Sequence, residues 1–108
     1  MRCLVTGASG HLGSYLTTCL LEADHTVTVV VRPQSDLWRL ADVIADTTVI
    51  RSQLEDIDQV ESALMAAAPE VVFHLAWQGV TSKFRNDLRQ IESNLLGSIR
   101  LLEIVQRA

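Results

Sequence analysis

Apolar residues follow two rhythms along this chain. Short, largely apolar runs occur at Arg2 to Val5, Thr26 to Val31, Thr47 to Arg51 and Val71 to Leu75, and between them lie longer stretches with apolar residues every three or four positions. The runs predict strands and the stretches predict helices. Thr26 to Val31 contains only threonine and valine, whose branched side chains suit a pleated surface buried on both sides. Arg32-Pro33 ends that run, because proline donates no ladder hydrogen bond and holds the residue before it extended. Val71 to Leu75 lacks polar alternation before His74 and reads likewise as buried on both faces.

The first helical stretch opens at Gly10 and continues through YLTTCLLEA. Ser35 or Asp36 would cap a short second helix carrying Leu37, Trp38, Leu40, Val43 and Ile44. Asp56 followed by Gln59 matches a capping box, with Ile57, Val60, Leu64 and Ala67 or Ala68 at helical spacing and Pro69 as the stop. From about Asn86 a long helix runs to the end, with Leu88, Ile91, Leu95, Ile99, Leu102 and Val105 along one side. Strand then helix, repeated, predicts a parallel sheet with right-handed crossovers and helices on both faces. The expected strand order is 3-2-1-4, a Rossmann-type doubly wound α/β fold cut before its fifth strand.

Between the first strand and the first helix stands Thr6-Gly7-x-x-Gly10-x-x-Gly13. Gly7 lets the chain leave the strand at backbone angles that a side chain resists. Gly10 lets bare backbone approach a bound group, and Gly13 lets the helix lie close against the strand. Together with Ser9, His11 and Leu12, these residues offer free amides and the positive end of a helix dipole at one point, which suits a pyrophosphate. A plain turn with glycines kept for packing would have the same spacing; the strand before and the helix after favour dinucleotide binding. Residues 1–108 therefore read as one NAD(P)-binding domain.

Composition narrows the partners. Net charge is -4 and Lys83 is the sole lysine, which argues against nucleic acid. No apolar run approaches the ~20 residues of a membrane span, and Met1 is followed at once by the strand and glycine turn, so a cytoplasmic protein is expected. Cys3 and Cys19 fall inside the first strand and first helix and read as reduced core thiols. His11, His25 and His74 show no metal-ligand spacing, and His74 reads as a strand-end histidine with a backbone partner.

VTGASGHLG, VVFHLAW and NLLGSIRLLE, taken in that order, resemble the extended short-chain dehydrogenases/reductases, the NAD-dependent epimerase/dehydratase group. The likeness covers essentially the whole chain. It implies that Gly7, Ser9, Gly10, His11, Leu12 and Gly13 surround the cofactor pyrophosphate. Gln53 and Leu54 would lie beside the adenine, where the family usually has Asp before an apolar residue; an amide can still accept from the adenine amino group. Leu75, Ala76 and Trp77 would pass along the ribose and pyrophosphate side, with Trp77 equally readable as a lid over the core. Asn94 matches an asparagine that in this family helps hold the segment near the cofactor, and it reads equally well as an unpartnered helix-face residue.

Dinucleotide sites selective for NAD place an acid about 20 residues past the glycines, to accept from the ribose 2′-OH. Here Val31 and then Arg32 stand at that point, so NADP is expected over NAD, with a solvated strand-end Arg32 as the bland reading. The resemblance also implies a catalytic Tyr-x-x-x-Lys pair, yet Tyr15 is the only tyrosine and Lys83 does not follow it at that spacing. No catalytic residues can be named in this chain. The expectation is the cofactor-binding part of a longer enzyme acting by hydride transfer on a nucleotide sugar or related carbonyl or hydroxyl substrate. The competing expectation is a noncatalytic NADP-binding module that senses redox state or binds a partner. The final helix could supply a homodimer interface.

Overall fold

Four parallel strands form one sheet in the order β3-β2-β1-β4, as the sequence predicts. The computed structural model describes residues 1–76 and 91–108. In chain order, β1 is Arg2–Thr6, α1 His11–Glu22, β2 Thr26–Val31, β3 Thr48–Arg51, α2 Glu61–Ala67, β4 Val71–His74 and α3 Gly97–Arg107. Short 3₁₀ turns at Trp38–Leu40 and Ile44–Asp46 lead into β3, another at Leu54–Val60 leads into α2, and a π-helical stretch, Ile91–Leu96, runs into α3.

The register sorts the strand side chains into two faces. Cys3 pairs with Val27 and Val71, and Val5 with Val29 and Phe73, so these odd-numbered positions share one face. On that face Val5, Val27, Val29 and Val31 pack with Ala8 and Leu40 and with Leu16, Leu20 and Leu21 of α1. Even-numbered Leu4, Val30 and Ile50 meet Ile57, Leu64 of α2, and Leu101 and Ile104 of α3 on the other. Helices thus cover both faces, as the strand-helix alternation requires.

Several local expectations change. The helix expected after Ser35 is replaced by two single 3₁₀ turns, and Asp36 accepts from the Trp38 N–H at 3.1 Å without starting a helix. Leu40 alone of its apolar residues is fully buried, which leaves too short a stripe to stabilise a longer helix. The Asp56 capping box does not form: α2 starts at Glu61 with no side-chain cap, and Asp56 sits at φ -106 inside the preceding turn. β4 is half-buried instead of covered on both faces, because β1 is its only neighbouring strand among the described residues.

Cys3 is buried and Cys19 exposed, so only the first is a core thiol. Cys19 lies on the outer side of α1, whose buried residues are Gly13, Ser14 and Thr17. In α3 the buried line is Asn94, Gly97, Leu101 and Ile104, whereas Leu95, Ile99 and Leu102 are exposed and Val105 is half-buried. The stripe read from leucine and isoleucine alone is rotated away from the true contact, which is set by Gly97 pressing on Leu54. The expected helix start near Asn86, with Leu88, lies outside the described residues. No helix among the described residues is long and apolar enough to cross a membrane.

Candidate functional site at the carboxyl edge of the sheet

β1 ends at Thr6, and the chain turns at once into Gly7 with φ +70, the left-handed region where a side chain would be strained. A Cβ there would also lie 2.8 Å from both Ala76 N and Leu75 C. Gly13 is fixed by a different contact: its Cβ would lie 2.2 Å from the Gly7 carbonyl oxygen. It therefore lets α1 press on the turn itself, where the sequence suggests contact with the strand. Gly10, exposed and at φ -76, precedes α1 without a side-chain cap, and the first turn of the helix holds no acid.

The Gly10 N–H donates to the Gly7 carbonyl at 3.1 Å, and the Ser14 N–H to the Gly10 carbonyl at 3.0 Å. The amides of His11, Leu12 and Gly13 lie ahead of the helical ladder, where a helix has donors and no preceding carbonyls of its own. His11 and Leu12 are exposed. An uncapped twelve-residue helix opening on a bare glycine is chemically suited to an anion such as a dinucleotide diphosphate.

The other expected residues gather on the same edge. Leu75 N–H donates to the Thr6 carbonyl at 3.2 Å, and Ala76 N–H to Thr6 Oγ1 at 3.1 Å, so Leu75 and Ala76 lie against the glycine turn. Ser9 Oγ meets Ser35 Oγ at 3.3 Å. Arg32, just past β2, is exposed, and its side chain has no hydrogen bond or ion pair among the described residues. Gln53 is half-buried, while Leu54 is buried with its side chain at Gly97. Asn94 is almost fully buried and has a partner, which removes its reading as an unpartnered helix-face residue. Trp77 lies outside the described residues.

Residues not singled out from the sequence complete the edge. Arg51 Nη1 reaches the carbonyls of Arg32, Pro33 and Ser35 at 3.4, 3.1 and 3.4 Å. Arg39 donates to the Ser9 carbonyl at 3.2 Å, and its guanidinium lies 4.4 Å from the centre of the Trp38 ring. Both are side chain to distant backbone contacts, which no local spacing announces. The nearest carboxylate after β2, Asp36, is engaged with the Trp38 amide. His74 is bonded by two hydroxyls, Thr6 Oγ1 at 2.6 Å and Ser98 Oγ at 2.7 Å, in place of the expected backbone partner. Burial lowers its pKa below the ordinary imidazole value.

Comparison with known proteins agrees with this architecture. The chain is 31% identical to a probable UDP-glucuronate 4-epimerase of Rhizobium meliloti across 98% of its own length and 34% of that protein. Among solved structures, the UDP-glucose 4-epimerase of Thermotoga maritima with UDP-glucose superposes with a TM-score of 0.82 at 31% identity, covering 99% of this chain and 34% of that one. The Thermus thermophilus UDP-glucose 4-epimerase complex with NAD superposes with a TM-score of 0.83 at 31% identity over the same shares. An uncharacterised Mycobacterium tuberculosis protein is 44% identical over 78 residues, 71% of this chain and 8% of that protein. The chain thus spans about a third of the epimerases it matches and a smaller share of the mycobacterial protein. The model of the NAD-dependent epimerase/dehydratase family matches residues 3–108, and the chain belongs to that family.

Proposed function

We propose that this chain holds the nicotinamide dinucleotide of an enzyme that transfers hydride on a nucleotide sugar or a related hydroxyl or carbonyl substrate. The observation that carries the reading is the uncapped start of α1, pressed onto the glycine turn at the carboxyl edge of a parallel sheet. The amides of His11, Leu12 and Gly13 receive the diphosphate, with Gly7, Ser9 and Gly10 forming the turn beneath it. Gln53 and Leu54 flank the adenine, Leu75 and Ala76 follow the ribose and pyrophosphate, and Asn94 supports that segment from behind. When bound, the nicotinamide supplies the hydride acceptor or donor.

Arg32 supports NADP as the preferred dinucleotide, with NAD as the alternative. No acid stands at the end of β2 to accept from a 2′-OH, and the free guanidinium is placed to meet a 2′-phosphate. Nucleotide sugars are supported as substrates by the names of the relatives, an argument of kinship alone. The exposed ridge of Leu95, Ile99 and Leu102 supports a homodimer built on α3.

Titration of the intact protein with NADP and NAD tests the reading. Wild type should bind both, with NADP tighter. Arg32→Ala should weaken NADP about tenfold, the loss of a charge-assisted contact, and leave NAD within about twofold. Absence of binding to either dinucleotide by a folded protein would overturn the function. An unchanged NADP affinity in Arg32→Ala would overturn the cofactor preference alone.

A further inference from the structure

A chain of hydrogen bonds crosses the α3 face of the sheet directly behind the glycine turn. Ala76 N–H donates to Thr6 Oγ1, which lies 2.6 Å from His74 Nδ1. His74 Nε2 lies 2.7 Å from Ser98 Oγ, and the Ser98 hydroxyl donates to the Asn94 carbonyl. Because the serine proton is committed to that carbonyl, its oxygen is left to accept from Nε2–H. The network therefore assigns the neutral imidazole its proton on Nε2, and Nδ1 accepts from the Thr6 hydroxyl. Each donor then has one acceptor, and the chain has a single direction.

Thr6 immediately precedes Gly7, and it pairs with His74 across β1 and β4. Its hydroxyl holds the Ala76 amide at the point where a Gly7 Cβ would collide with Leu75 and Ala76. The hydroxyl orientation set by His74 is thus part of what fixes the turn leading to the His11 and Leu12 amides. A second proton on the imidazole would sit on Nδ1 and face Thr6 Oγ1. The threonine hydrogen would lose its acceptor, and a charge would enter a half-buried site.

Among the described residues, the charged groups on β1 and α3 are paired elsewhere or exposed. On β1, Arg2 pairs with Glu70 at the opposite end of the strand, and Cys3 lies on the other face of the sheet. On α3, Arg100 reaches Asp58 and the Glu55 carbonyl, Arg107 pairs with Glu61, and Glu103 is exposed.

We propose that His74 is a positioning residue for the dinucleotide: its neutral form holds Thr6 on Ala76, and cofactor affinity falls when the imidazole takes up a proton. The proposal rests on the dinucleotide reading given above. Because burial holds the folded-state pKa below the ordinary imidazole value, the contribution to affinity is complete at neutral pH and is lost as pH falls through that folded value towards the lower one of the complex. Exposed His11 stands at the mouth of α1, on the side of the glycine turn away from the sheet.

NAD is the probe, because it lacks the 2′-phosphate group that would itself titrate near pH 6. Its Kd for the intact wild-type protein should rise severalfold, progressively, as pH is lowered from roughly 7.5 to 5. His74→Asn keeps an acceptor for Thr6 and cannot titrate in this range. It should bind within about threefold of wild type at neutral pH and lose the acid weakening. His74→Leu should bind about tenfold more weakly throughout.

Nitrogen-15 shifts of the His74 ring in wild type provide a test that needs no variant to fold. They should show the Nε2–H tautomer and a pKa that NAD lowers further, by reciprocity of linkage. A flat or inverted wild-type profile, an unchanged profile in His74→Asn, the Nδ1–H tautomer, or a pKa indifferent to NAD would each overturn the proposal. If NAD fails to bind at any pH, the dinucleotide reading fails and takes this proposal with it. If NAD binds without the His74 linkage, only the positioning role falls.

Discussion

On one side of the sheet α1 arrives at backbone contact, burying Gly13, Ser14 and Thr17 and pressing Gly13 onto the Gly7 carbonyl. On the other, α2 and α3 are held by the bulk of Leu64, Leu101 and Ile104 around Leu4, Val30 and Ile57, and the close approach of α3, at Gly97, is to Leu54 and not to the glycine turn. The difference fits the role proposed for each side. A helix whose first amides serve as ligand donors has to be placed to a fraction of an ångström, and a backbone contact leaves less slack than a cluster of side chains that can repack. Buried hydroxyls tighten this arrangement: Thr17 Oγ1 donates to the Gly13 carbonyl at 2.8 Å, and Ser14 Oγ to that of His11 at 3.0 Å.

The contrast can be broken by mutation. Gly13→Ala should have the largest effect, more than about 3 kcal/mol of stability in denaturant unfolding together with loss of dinucleotide binding, because the added methyl meets backbone that cannot rotate away. Leu101→Ala, on the other face, should cost about 2 to 3 kcal/mol by opening a cavity, yet leave dinucleotide affinity nearly unchanged in any molecule that remains folded. Equal losses of affinity in the two variants would show that the faces do not divide the work in this way. Smallest of all, Cys19→Ser on the outer side of α1 should stay within about 0.5 kcal/mol of wild type. In native labelling followed by mass spectrometry, Cys19 should react well before buried Cys3.

The parts of the fold set by side-chain chemistry and short spacing were legible in the sequence. Thr26 to Val31 could hardly be anything but an inner strand, and three glycines after β1 announced a turn where backbone meets backbone. What remained hidden depends on partners far along the chain. Leu95, Ile99 and Leu102 make the more hydrophobic stripe of the last helix, but Gly97 fits against Leu54, so the helix turns its leucines outward there. Asp56 and Gln59 satisfy a local capping rule that the 3₁₀ turn over Leu54–Val60 overrides. At the candidate site, Gly7 through Gly13 and Arg32 could be named from position in a motif. Arg39, Arg51 and Ser98 could not, nor could the hydroxyl partner of Thr6, since each acts through a contact 24 or more residues away or through the backbone of a separate loop.

The hold of Arg51 on the carbonyls of Arg32, Pro33 and Ser35 ties the exit of β2 to the end of β3. The excursion between them, residues 36–47, is thereby pinned at its base, while Leu40 in the core and Arg39 on the Ser9 carbonyl anchor its middle. Changes at its exposed positions, such as Ala41 and Asp42, leave the arginine at the exit of β2 undisturbed.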